Sequence, residues 1–271
     1  MLTDSHCHPY DVARILPGAE ESRRQLCVLA ASSACDWHEF AHNEELAKKS
    51  TLDNTAPLLP CFAVHPQALS AGCEFEKETE KLLITLDDLA TQKRITAVGE
   101  CGFDLYNDTF RETEKIQDKV FAIHLEIAIK YDLPVVFHVR RAMHKIFAAG
   151  KILKKCRAVV FHSWPGTLEE GQALIRRGVN AYFSFGNTLM NGRKQSQQSC
   201  ALFPAERLLT ETDAPYQPQR GESFSQWSDL PIILKTITAL RGEAGFNTTA
   251  EEMETQIEAN FKTAFLIRGC L

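Results

Sequence analysis

Eight short apolar runs, separated by helix-length stretches, restrict the fold of this chain more than any other feature. They read MLTDSHC, QLCVLAAS, PLLPCFAV, ITAVGEC, LPVVFHV, AVVFHSW, VNAYFSF and RLLTETDAP. Strands that are apolar almost throughout, rather than alternating, belong to parallel sheets covered on both faces. The stretches between them, such as EFEKETEKLLITLDDLATQK and TEKIQDKVFAIHLEIAIKYD, carry the 3.6-residue period of helices. Eight such units predict an α/β architecture of the (β/α)8 barrel type, with a doubly wound open sheet as the competing fold. The weakest of the eight is VNAYFSF, whose start Gly178 and Asn180 blur. The segment AEEMETQIEANFKTAFLI, with Met253, Ile257, Phe261 and Phe265 on one face, reads as a closing C-terminal helix. A length of 271 residues suits one barrel domain over residues 1–271, since barrels of this class run to about 250 residues.

The net charge of −5 excludes a globally basic nucleic-acid binder. It leaves room for a nucleic-acid enzyme, because a bound divalent metal supplies positive charge locally. Nine scattered cysteines, among them no CxxC pair, give no support to a thiolate zinc site. Several lie inside apolar runs, as in QLCVLA and LPCFAV, where a free cysteine acts as a small hydrophobe, a usage that suits a reducing compartment. No segment reaches the length of a membrane span and no leader pattern opens the chain, so a cytoplasmic protein without a membrane partner is expected.

The ionisable residues fall at one end of these runs: His6 and His8 on the first, His65 after the third, Glu100 on the fourth, His138 on the fifth, His162 on the sixth and Asp213 on the eighth. In a barrel the C-terminal ends of all strands open on one face, so these residues converge on one mouth. Side chains two apart on a strand share a face, so His6 and His8 point inward together while Cys7 faces the helices. His6, His8, Glu100, His138, His162 and Asp213 are nitrogen and oxygen ligands suited to two divalent ions such as Zn, Mn, Mg or Co. Six ligands serve two sites if Glu100 is shared. His6, His8 and Asp213 then complete one site and His138 and His162 the other. Two ions about 3.5–4 Å apart suit a phosphoryl displacement with metal-activated water.

Asp213 is also expected to act as a general base. Glu211 is a candidate to orient a ligand or, equally, to form an ion pair inside the barrel, and Asp4 either to bond a ligand imidazole or to cap its strand. Arg140 and His65 are expected to contact a substrate phosphate, with Tyr216 and Asn187 as weaker candidates. Arg193 and Lys194 read as loop residues near the mouth. Trp164, Tyr216 and Phe103 are candidates to stack on a base. His38, His42, His124 and His144 lie on helical stretches, off the pattern.

Taken together, DSHCH, AVHP, AVGECGFD, LPVVFHVRRA, FHSWPG and LLTETDAPY resemble, in order and spacing, the motifs of the TatD family of metal-dependent hydrolases, in the amidohydrolase superfamily. The resemblance runs from His6 to about Tyr216. It implies a distorted barrel and a divalent-metal phosphodiesterase, commonly a deoxyribonuclease, with metal ligands at His6, His8, Glu100, His138, His162 and Asp213. Glu100 stands where other amidohydrolase branches carry a carbamylated lysine. The chain departs from the family at His124, where glutamine is usual, and at Cys101, Phe103, Trp164 and Pro165. The expected substrate is DNA or another phosphodiester, attacked as a 3′-exonuclease would. An amidohydrolase cleaving an amide, lactone or small phosphoester is the alternative.

Overall fold

A computed structural model describes residues 1–69 and 73–265, apart from the side chains of residues 73–76. Eight parallel strands follow one another in chain order: β1 Thr3–Cys7, β2 Leu29–Ser32, β3 Leu58–Phe62, β4 Ala97–Asp104, β5 Val135–Arg140, β6 Val159–Phe161, β7 Ala181–Phe185 and β8 Leu208–Thr210. Helices lie between successive strands, and the helix Ala250–Phe265 comes last. This is the (β/α)8 barrel that the alternation predicts. Leu266 and Ile267 of the expected closing helix, and the Cys73 and Cys270 side chains, lie outside the described residues. No helix among the described residues is long and apolar enough to cross a membrane.

Strand alternation sorts the apolar residues into two layers. Val98, Phe137, Val159, Phe161, Phe183 and Leu208 belong to the large core under the helices. Leu29, Ala31, Cys61, Ala97, Val136, Val160, Tyr182 and Leu209 fill the barrel, together with Phe261 and Phe265 of the last helix. Small interior residues leave the space that those two phenyl rings occupy. The interior is thus packed at one end and polar at the other, as barrels require.

Two irregularities decide where the polar end points. β4 carries an extra residue: Val98 pairs with Val135, whereas Glu100 pairs with Val136. The bulge reverses the phase of β4, so Glu100, Gly102 and Asp104 share the inward face with Val136, His138 and Arg140. β1 contains a similar shift between Asp4 and Cys7. Cys7, buried among core residues outside the barrel, faces away from the mouth as expected.

The seam between β8 and β1 is closed largely by side chains. Thr210 Oγ1 donates to the Thr3 carbonyl at 2.6 Å. Asp4 accepts from the Thr212 hydroxyl at 2.6 Å and from the Thr212 and His6 amides. Asp4 therefore caps the seam and touches no ligand imidazole. Backbone bonds from Asp213 N to His6 O at 2.9 Å and from His8 N to Ala214 O at 2.8 Å complete the closure.

Candidate metal centre

Glu100 lies at the middle of the barrel mouth, and its two oxygens face different imidazoles. Oε2 is 3.1 Å from His6 Nε2 and 3.5 Å from His8 Nε2. Oε1 is 2.9 Å from His138 Nδ1, 3.1 Å from His65 Nε2 and 3.7 Å from His162 Nε2. Asp213 Oδ1 stands 3.5 Å from His6 Nε2 and 3.4 Å from His8 Nε2. The Nε2 atoms of His6 and His8 are themselves 3.1 Å apart. A tetrahedral ion with ligands at about 2.1 Å separates neighbouring ligand atoms by about 3.4 Å. His6 and His8 keep that spacing, to within about 0.3 Å, from each other and from the nearest oxygens of Glu100 and Asp213, so these donors suit a divalent cation.

Among the described residues, three groups of donor atoms are compact enough to hold an ion: His6, His8 and Glu100; His6, His162 and Asp213; and His65, Glu100 and His138. The division differs from the one expected from sequence. The His162 ring is 4.0 Å from that of His6 and 6.1 Å from that of His138, and His65 takes the place beside His138. The cause is Glu211, whose Oε2 holds His162 Nδ1 at 3.1 Å and turns the ring toward the seam. The orienting role expected of Glu211 thus has a direct contact behind it.

The electrostatics of the mouth are those of a site that asks for positive charge. Burial alone would raise the Glu100 carboxyl, but the His65 and His6 imidazoles outweigh it and hold it well below the usual range. Burial opposes a charged His162, yet Glu211 and Asp213 overcome it and raise that imidazole to about 10. His138 and His8 are raised in the same way, against burial, by Asp104 and Glu100 and by Asp213 and Glu100. His6 goes the other way, lowered by burial and by the neighbouring His162, and a bound metal would displace the protons that its neighbours hold.

Backbone strain also gathers at this mouth. Ser163, Asp213 and Gln217 adopt left-handed conformations, with φ of 47°, 54° and 50°. Such conformations cost non-glycine residues about 1 kcal/mol each. A chain of bonds links the three: Ser163 Oγ donates to Gln217 Oε1 at 2.9 Å, and Gln217 Nε2 donates to Asp213 Oδ2 at 2.7 Å.

Asp104 is the residue that sequence reasoning missed. Fully buried, it lies 3.1 Å from His138 Nε2 and accepts from Gln67 Nε2 at 2.7 Å. The signal was present, since Glu100, Gly102 and Asp104 alternate on one strand face. Gln67 and Gln217 carry no such signal. The Arg140 guanidinium lies 3.9 Å from Asp104 and 3.7 Å over the Tyr106 ring, at the pocket wall. Of the three aromatic residues considered for stacking, Trp164 and Phe103 are core residues. Trp164 packs on Phe183 and Phe161, and Phe103 on Phe121. Tyr216 remains at the mouth, 49 % exposed, edge-on to His8. Asn187 is buried and bonded to Asp229, away from the pocket lining.

His38 and His144 are exposed helix residues and His42 packs edge-on to Tyr10, but His124 is fully buried. Its Nε2 accepts from the Val64 amide at 3.0 Å and its Nδ1 bonds the Val120 carbonyl at 2.8 Å. Burial depresses it from 6.5 to about 4. With the folded value below the unfolded one, the neutral ring's contribution is complete above about pH 6.5 and is lost as pH falls through about 4. A glutamine can accept from Val64 without titrating. His124→Gln is therefore expected to gain about 2 kcal/mol relative to wild type at pH 5 compared with pH 8. Urea melts at the two pH values check this, and a pH-independent difference would assign the effect to packing.

A family model described as TatD related DNase matches residues 3–266. A 3'-5' ssDNA/RNA exonuclease TatD from Shigella flexneri is 33% identical over 211 residues, which is 74% of this chain and 75% of that protein. The protein of the same description from Escherichia coli K12 gives the same figures. Among solved structures, YJJV, a TatD homologue from Escherichia coli K12, matches with a TM-score of 0.81 and 26% identity over 98% of each chain.

Proposed function

The chain belongs to the family of TatD-related DNases, and from that membership we propose that it is a divalent-metal-dependent hydrolase of phosphodiester bonds, shortening single-stranded nucleic acid from its 3′ end. The observation that carries this reading is the Glu100 carboxylate, with one oxygen turned to His6 and His8 and the other to His65 and His138. Two cations, of Zn, Mn, Mg or Co, would share Glu100, one held by His6, His8 and Asp213 and the other by His65 and His138, with His162 between them. Bound there, they would supply Lewis acidity toward a phosphoryl oxygen and an attacking water.

The chain's own residues do the rest. Asp213, anchored by Gln217, would take the proton of the attacking water at a carboxylate oxygen. Glu211 holds His162 in one orientation, which fixes where its Nε2 lone pair points. Arg140, on the pocket wall, would meet a phosphate oxygen with its guanidinium. Residues 1–271 would act as one catalytic unit, in the reducing cytoplasm that suits the free cysteines at positions 7, 61, 101, 156 and 200.

The test is metal-dependent release of mononucleotides from a single-stranded DNA oligomer. Chelation is expected to abolish release, and adding back one of the four metals to restore it. Undiminished cleavage after chelation, or none with any metal, would overturn the reading.

A further inference from the structure

Next to the metal pocket, of about 400 Å³, a second cavity of about 470 Å³ opens where the chain leaves β5, β6 and β7. His138, Arg140, His162 and Gln217 line both, so the two adjoin. Arg141 and Arg193 belong to the second cavity alone. Both are exposed, and among the described residues neither pairs with a carboxylate within 4.0 Å. With Arg140 beside them and no aspartate or glutamate in the lining, they make this cavity locally positive on a chain of net charge −5.

The backbone is arranged to present Arg141 in particular. Arg141 has φ of +55°, a left-handed conformation that arginine adopts only when held. That turn sets its guanidinium 4.5 Å over the exposed Tyr106 ring, whose other neighbour is Arg140, and lets Nη1 donate to the Tyr106 carbonyl at 3.0 Å. Planar guanidiniums on an aromatic ring offer both phosphate donors and a surface on which an unpaired base can stack. The other wall of the metal pocket is acidic, carrying Asp11 and Glu39. The mouth is therefore basic on one side and acidic on the other.

We infer that the second cavity is a one-sided track for single-stranded nucleic acid, in which Arg141 and Arg193 hold the phosphates of the uncleaved strand beside Tyr106. The acidic wall repels a continuing backbone and leaves room for a terminal nucleoside alone. This inference rests on the nuclease reading above and specifies which way its substrate leaves the site.

The experiment compares wild type with an Arg141→Ala, Arg193→Ala double variant on three substrates: a thymidylate decamer, a thymidylate dinucleotide and bis(4-nitrophenyl) phosphate. The variant is expected to show a KM for the decamer about tenfold higher, with kcat unchanged and both small substrates unaffected. The salt dependence of decamer binding should flatten by a slope of about 1.4, since each single-strand phosphate contact contributes about 0.7. Equal loss on all three substrates, or none on the decamer, overturns the track. If wild type hydrolyses no diester at all, the nuclease reading fails. Filter binding of labelled decamer then decides the track separately, supporting it if the variant binds more weakly and overturning it if the two bind alike.

Discussion

Replacing Glu100 by alanine is expected to lower turnover by about 10⁴-fold and to release bound metal from both sides of the mouth. One carboxylate faces four imidazole nitrogens within 3.5 Å, two at each oxygen. Its loss leaves two of the three donor groups one ligand short at once, and several kcal/mol of charge stabilisation go with it. The surrounding histidines also lose the anion that balances them. Glu100→Gln keeps the shape and removes the charge, which separates electrostatics from packing. Both variants should be assayed for metal content as well as turnover, because metal retention with full activity would remove Glu100 from the centre. A graded comparison comes from Glu211→Gln, at a residue whose carboxylate hydrogen-bonds His162, and which is expected to cost 10–100-fold, about what weakening a ligand's hydrogen-bond partner costs.

Gly102→Ala is expected to destabilise the fold by about 3 kcal/mol or more, through backbone geometry alone. Gly102 has φ of +131°, a conformation closed to residues with a side chain. It also pairs in register with His138, and an added Cβ would come within 2.3 Å of the His138 carbonyl oxygen. A backbone oxygen cannot swing aside as a side chain would, so β4 and β5 must separate. Those two strands carry Glu100, Asp104 and His138, so activity should fall with stability. Chemical denaturation gives the stability change directly. A difference below about 1 kcal/mol would mean that the strands give way more easily than this register allows.

The barrel was legible because its strands are apolar on both faces, and nothing but a covered parallel sheet makes sense of Val135, Val136 and Phe137 in succession. The ligand candidates were legible because strand ends share one face. What escaped were features that depend on breaking the pattern. The bulge at Val98–Glu100 leaves no trace in composition, yet it alone turns Glu100 and Asp104 inward. Asp104 escaped because it lies four residues beyond Glu100, where the strand runs on past the apolar stretch. Trp164 resembled a mouth residue because it follows His162, but the left-handed turn at Ser163 sends its ring back among Phe161, Phe183 and Phe203. The burial of His124 is a tertiary fact, fixed by the Val64 amide 60 positions away.

The seam between β8 and β1 has a kinetic side. His6 and His8 lie on one edge of it and Asp213 on the other, and the bonds that close it join residues 206 to 208 positions apart. Contacts of such separation form late, because the ordering of everything between them comes first. A chain still emerging from synthesis carries His6 and His8 long before Asp213 is made. The mouth that joins His6, His8 and Asp213 therefore exists only once the eighth strand has closed on the first.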